Sequence, residues 1–133
     1  MTGAKARKIR ALIEKLIESL SDKDASEYPE LHPDLTYSGA LIPYKTRIKW
    51  TDGNLYVAQY DTYDRQDTDP DHDTNGWVKV MYKAGYRYIP DTMTTATMFA
   101  KNEMGWWKEK LYRSKIDNNS WTPEAYPDGW EVV

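Results

Sequence analysis

The segment Asp117-Asn118-Asn119-Ser120-Trp121, with Tyr126 five residues further on, combines two kinds of group that bind sugars. The face of an aromatic ring carries a negative quadrupole that matches the weakly positive axial C–H face of a pyranose. Amides and carboxylates beside such a ring orient hydroxyl groups through hydrogen bonds. Trp121, Tyr126, Asn118 and Asn119 are therefore candidate carbohydrate contacts. Trp107 joins them, because it follows Trp106 in a β-pattern and strand alternation is expected to turn it to the opposite, exposed face.

Other chemistries fare less well. Asp61, Asp64, Asp67, Asp69, Asp71 and Asp73 form an acidic run, and Asp71-x-Asp73-x-Asn75-Gly76 begins like a calcium loop. The twelfth position, however, is Tyr82 instead of a bidentate Glu, and helical patterns are missing on both sides. A solvated loop is expected there, and no metal site. With no cysteine and only His32 and His72, the chain offers neither a thiolate site nor a zinc set. Glycoside hydrolysis needs two carboxyls held across a cleft, which very small β-modules do not supply. There is no nucleophile elbow and no phosphate loop. The expectation is a non-enzyme without a cofactor.

The chain has 133 residues, net charge −3, 6 Trp, 11 Tyr and 1 Phe. This balance argues against a nucleic-acid partner. No apolar run approaches the roughly 20 residues of a membrane span. The charge is uneven: residues 1–20 carry a local +3 and residues 61–73 a local −5. The basic N-terminus has no continuous apolar core of a signal peptide, so no secretion signal is expected.

These groups need elements to hold them. Ile9, Leu12, Ile13, Leu16, Ile17 and Leu20 recur at helical period, predicting an amphipathic helix of about 15 residues. Ser21, with Asp24 three residues on, predicts the cap of a second short helix, stopped by Pro29 and Pro33. The stripe is expected to pack on a partner at least as much as on its own sheets. After Tyr37 the pattern turns to short alternating segments. Arg47-Ile48-Lys49-Trp50 and Leu55-Tyr56-Val57-Ala58 flank the turn Thr51-Asp52-Gly53-Asn54, and Lys83-Ala84-Gly85 predicts another.

The second half repeats the first. At an offset of 56, Lys45, Trp50, Leu55 and Tyr56 fall on Lys101, Trp106, Leu111 and Tyr112, and Ile42 and Ile48 fall on Met98 and Met104. After three deleted residues, Pro70, Asp71, Gly76 and Trp77 fall on Pro123, Glu124, Gly129 and Trp130. The expected organisation is a helical segment over 1–36 and β-modules over 37–80 and 81–133. Trp50, Tyr56 and Trp77, with Trp106, Tyr112 and Trp130, are expected to form the two aromatic cores.

The segment Trp121-Thr122-Pro123-Glu124-Ala125-Tyr126-Pro127-Asp128-Gly129-Trp130 closely resembles the C-terminal signature of carbohydrate-binding modules of families 5 and 12, the small chitin-binding type. The helix, the Ser-Asp-Lys-Asp cap and the module that follows also resemble small tail-associated proteins of phages and prophages. The resemblance implies three-stranded antiparallel modules that present aromatics to a polysaccharide. It implies Trp121 as the ligand tryptophan, with Thr68 in its place in the first copy.

The combined expectation is a mainly β, α+β chain: an N-terminal helix and two small three-stranded modules. Its leading function is that of a non-catalytic accessory or structural protein of a phage tail, docked through its helix on a tail protein or on its own copies, as an assembly partner or chaperone of a receptor-binding protein. It would reside in the virion, or in the host cytoplasm before assembly. The alternative is a module that recognises a cell-wall polysaccharide, with a small glycosidase a distant third.

Overall fold

The computed structural model describes residues 2–133. The chain is mainly β with one long N-terminal helix, and it divides into two compact units, Met1–Val80 and Met81–Val133. Helix α1 spans Gly3–Glu18, and the Thr2 hydroxyl caps it by accepting from Lys5 N. Helix α2 spans Asp22–Glu27, where the Ser21 hydroxyl accepts from Asp24 N. Both caps satisfy backbone donors that a helix start leaves unpaired. A single turn of 3-10 helix, Pro29–Leu31, follows.

The first unit then holds β1 (Leu41–Ile42), β2 (Arg47–Lys49), β3 (Leu55–Ala58), β4 (Thr62–Tyr63) and β5 (Trp77–Lys79). Strands β2, β3 and β5 form an antiparallel sheet with β3 central, and β1 pairs with β4. In the second unit, β6 (Tyr82–Lys83) and β7 (Tyr86–Arg87) form a hairpin. Its turn, Ala84–Gly85, has both φ positive, at 52° and 84°. Strands β8 (Met104–Trp107), β9 (Lys110–Ser114) and β10 (Trp130–Val132) form the second three-stranded sheet, with β9 central. Residues 90–100 contain no helix.

Backbone hydrogen bonds recur in both units. Lys45 N donates to Ala58 O as Asn102 N does to Ser114 O, and Lys45 and Asn102 share φ of 72°. Gln59 N donates to Gly76 O as Lys115 N does to Gly129 O, and Val80 N to Leu55 O as Val133 N to Leu111 O. Trp77 Nε1 donates to Thr68 O at 2.7 Å, and Trp130 Nε1 to Trp121 O at 2.9 Å.

The register corrects the alignment across the first hairpin. Lys49 faces Leu55, whereas Trp106 faces Leu111. If Leu55 matches Leu111, then Lys49 matches Trp106, and Trp50 matches Trp107. The second hairpin is one residue shorter and extends to a Trp107–Lys110 pair closed by Lys108–Glu109, with φ of 47° and 65°. The offset on this strand is thus 57, not 56. Trp107, expected on the exposed face, is only 8% exposed and packs with Ile89, Phe99 and Trp130. Trp106, expected in that core, lies on the other face, half-buried, its Nε1 donating to Lys83 O at 2.7 Å. Ile42 and Ile48 likewise match Phe99 and Gly105 instead of Met98 and Met104. A Cβ on Gly105 would come 2.7 Å from the Phe99 ring. One large ring fills the second core where two isoleucines fill the first.

The other expected core residues keep their places. Trp77 is buried with Ile42, Ile48 and Ala58, and Leu35, Trp50 and Tyr56 pack against them. Trp130 is buried, and Tyr112 packs against its cluster. The segment before residue 37 belongs with the first unit: Pro33 O accepts from Lys49 N, and Leu35 covers its core.

Candidate functional site

The loop joining β9 to β10 is built from its own polar groups. Thr122 starts a turn in which its hydroxyl accepts from Ala125 N at 3.1 Å and its carbonyl from Tyr126 N at 3.0 Å. Gly129 gives Tyr126 room, since a Cβ there would sit 2.9 Å from the ring. Trp121 is held on both sides of its backbone: its N–H donates to Asn119 Oδ1 at 3.1 Å, and its carbonyl accepts from Trp130 Nε1. The residue is 53% exposed. Tyr126, also exposed, meets it edge-on, with centroids 6.2 Å apart and planes at 63°. The pair forms an angled aromatic surface on the second unit.

Two amides expected beside this surface have other places. Asn119 is fully buried, its Nδ2 donating to Ser114 Oγ at 3.0 Å and Gly129 O at 3.1 Å. It is the brace under Trp121 and has no free edge for a sugar. Asn118 is exposed, at φ 51°, but the hollow it lines includes Thr95, Met98 and Glu103, and neither Trp121 nor Tyr126. Trp107, buried in the core, lines a different cleft of about 410 Å³ together with Tyr112, Trp130 and Glu124. Of the five candidate sugar contacts, Trp121 and Tyr126 come together.

The acidic run of the first unit is not uniformly solvated. Asp64 is buried and accepts from five donors: the N–H and hydroxyl of Thr36, the N–H of Tyr37, and the N–H and hydroxyl of Ser38. Burial pushes its carboxyl up, and the hydrogen bonds from Ser38, Tyr37 and Thr36 outweigh that and hold it below the usual carboxylate value. Asp69 is buried as well and accepts from Tyr37 OH at 3.0 Å and pairs with His72 Nδ1 at 2.7 Å. The Asp69 carboxylate raises the His72 pKa. These carboxylates organise the loop as hydrogen-bond acceptors, and among the described residues no group of three or more His, Cys, Asp or Glu could hold a metal ion.

A larger hollow of about 850 Å³ lies within the first unit, bordered by Ile17, Glu18, His32, Arg47 and Val78. His32 is buried with its Nε2 unpartnered, and burial followed by the nearby Arg47 charge lowers its pKa. Arg47 fastens the junction between α1 and α2: its guanidinium donates to Leu20 O at 2.6 Å and to Asp22 Oδ1 at 3.0 Å. Nothing in the sequence pattern singled out this hollow.

No protein-family model and no curated protein matches the chain. Function therefore rests on its own geometry. Among the described residues no helix is long and apolar enough to cross a membrane.

Proposed function

We propose that the protein is a non-catalytic glycan-binding protein whose second unit engages polysaccharide through Trp121 and Tyr126. The observation that carries this reading is the exposed Trp121 ring on a backbone pinned at both its N–H and its carbonyl. A large aromatic held exposed on a fixed backbone is a platform on which a sugar ring can stack. Its resemblance to small chitin-binding modules supports the same reading. Retention on insoluble polysaccharides (chitin, cellulose, peptidoglycan) tests it. Trp121→Ala is expected to lower affinity for the retaining polymer at least about tenfold, ~1.4 kcal/mol, with the thermal midpoint unchanged. Equal retention of the variant, or no retention of the wild-type chain on any host polysaccharide, overturns the reading.

A second reading concerns assembly. Helix α1 has no buried residue: Ile9, Leu12 and Ile13 are exposed, and Leu16 is 67% exposed. Ile17 and Leu20 are half-buried, at the end that Arg47 holds. A bare aliphatic stripe supports docking on a partner, either a second copy or a tail protein, as expected of an accessory component of a phage tail. Leu12→Asp with Leu16→Asp is expected to convert an assembled chain to monomers in light scattering. A wild-type chain that is already monomeric at high concentration removes self-association, and a variant that keeps its mass removes the stripe.

A further inference from the structure

The repeat supplies an internal comparison at one indole donor, half-buried in the first unit and buried in the second. In the first unit Trp50 Nε1 donates to Asp71 Oδ1 at 3.2 Å. By strand register Trp107 is the counterpart of Trp50, and Glu124 stands where Asp71 does, six positions before the matched Trp130 and Trp77. Yet Trp107 Nε1 is buried with no hydrogen-bond partner. Glu124 is engaged by Lys108, a residue that the tighter second hairpin brings over the Trp107 ring. The second unit thus lacks the carboxylate contact that the first unit makes.

Trp107 borders the 410 Å³ cleft with Tyr112 and Trp130, while Lys108, Lys110 and Glu124 border it as its charged residues. Two cations there face one acid. Glu124 and Lys108 are both more than half exposed, and an exposed pair of this kind adds little to stability and yields readily. A buried N–H without an acceptor, by contrast, carries a standing penalty that any incoming acceptor relieves.

We propose that this cleft is a subsite for the carboxylate of an acidic saccharide, a uronic-acid residue that takes from Trp107 Nε1 the hydrogen bond Asp71 takes from Trp50. As it enters, the Lys108–Glu124 pair opens, Glu124 turns to water, and Lys108 pairs with the ligand's carboxylate in a charge-assisted contact. Tyr112 and Trp130 supply the apolar wall for the sugar ring. Pro123, Glu124 and Pro127 of the Trp121–Trp130 segment border the cleft, whereas Trp121 and Tyr126 do not, so the subsite is separate from the aromatic surface at Trp121. The choice of a saccharide over an acidic peptide rests on the glycan reading above.

Spectra of the tryptophan indole N–H groups test this on the full chain. Oligogalacturonate is expected to shift the Trp107 indole signal, and its neutral methyl ester is expected to leave that signal in place. Lys108→Ala frees Glu124 to occupy the indole and is expected to weaken oligogalacturonate at least fivefold, whereas Glu124→Gln strengthens it. A methyl ester that acts as well as the acid, a triglutamate peptide that acts as well as the oligogalacturonate, or a Trp107 signal that no uronate moves overturns the proposal. The two readings fail separately. If neutral polysaccharides are retained through Trp121 and no uronate moves Trp107, only the subsite fails. If no polymer is retained and galacturonate monomer still moves Trp107, the glycan reading fails and the carboxylate site stands.

Discussion

Trp130→Ala is expected to unfold the second unit. Trp130 is buried against Phe99, with ring centroids 5.2 Å apart and planes at 71°, and its indole N–H is bonded to Trp121 O. Removing the ring leaves a cavity where an aromatic filled the core, a change that costs roughly 3–5 kcal/mol. It also strands the Trp121 carbonyl. A unit this small has little stability beyond that amount. The check is the amide dispersion of β8, β9 and β10 and the denaturant midpoint. A variant with a native spectrum and an unchanged midpoint would show that the aromatic cluster does not hold this sheet. Trp77, buried in the first core with its N–H on Thr68 O, carries the same expectation there.

Asp64→Ala is expected to weaken the first unit. Five donors on Thr36, Tyr37 and Ser38 converge on one buried carboxylate, and Tyr37 itself sits at φ 55° to aim its N–H. Backbone N–H groups curled around an anion in this way form a nest. Taking the anion away leaves these donors without their acceptor, but Thr36, Tyr37 and Ser38 are exposed residues to which water has access, so a total of about 1–3 kcal/mol is expected. Acid should act in the same direction. The folded carboxyl has a lowered pKa, so below the unfolded value of about 3.9 the unfolded chain takes up a proton that the folded chain resists. The stabilisation is complete above that pH and is lost as pH falls through the lower folded value. Denaturant midpoints from pH 6 down to pH 2 measure it, with Asp64→Asn as the comparison. Parallel pH profiles for the two proteins would remove Asp64 from the acid response.

The long-range pattern of this fold was legible in the residues. The stripe from Ile9 to Leu20 gives α1, the Ser21–Asp24 pair starts α2, and Ala84–Gly85 turns a hairpin. The shared Trp, Leu-Tyr and Gly-Trp positions mark two copies of one sheet. What went astray was local. Sequence matching without a gap put Trp50 on Trp106, because the one-residue difference in hairpin length is invisible until the strands are paired. In a strand a slip of one residue reverses every side chain, so Trp106 and Trp107 exchanged faces together. Asn119 failed for a different reason. Its amide resembles a sugar-binding group by type, and only burial shows that its donors go to Ser114 and Gly129. Asp64 hid in a run of acids whose spacing resembles a solvated loop, since its five donors lie more than 25 positions earlier in the chain.

The bond from a core indole to the loop carbonyl has a consequence for how binding surfaces arise in duplicated modules. In both units the buried tryptophan of the last strand grips the backbone of one loop residue, Trp121 in one and Thr68 in the other. The core therefore fixes where that residue stands and leaves its side chain open to choice. Thr68 turns its hydroxyl inward to the carbonyls of Tyr63 and Arg65, whereas Trp121 projects outward. A residue already immobilised before it meets a ligand loses little freedom on contact, and such preorganisation favours affinity. The first unit thus carries the same rigid mount without an aromatic on it, so that specificity can be gained or surrendered by changing a single side chain while the scaffold beneath stays untouched.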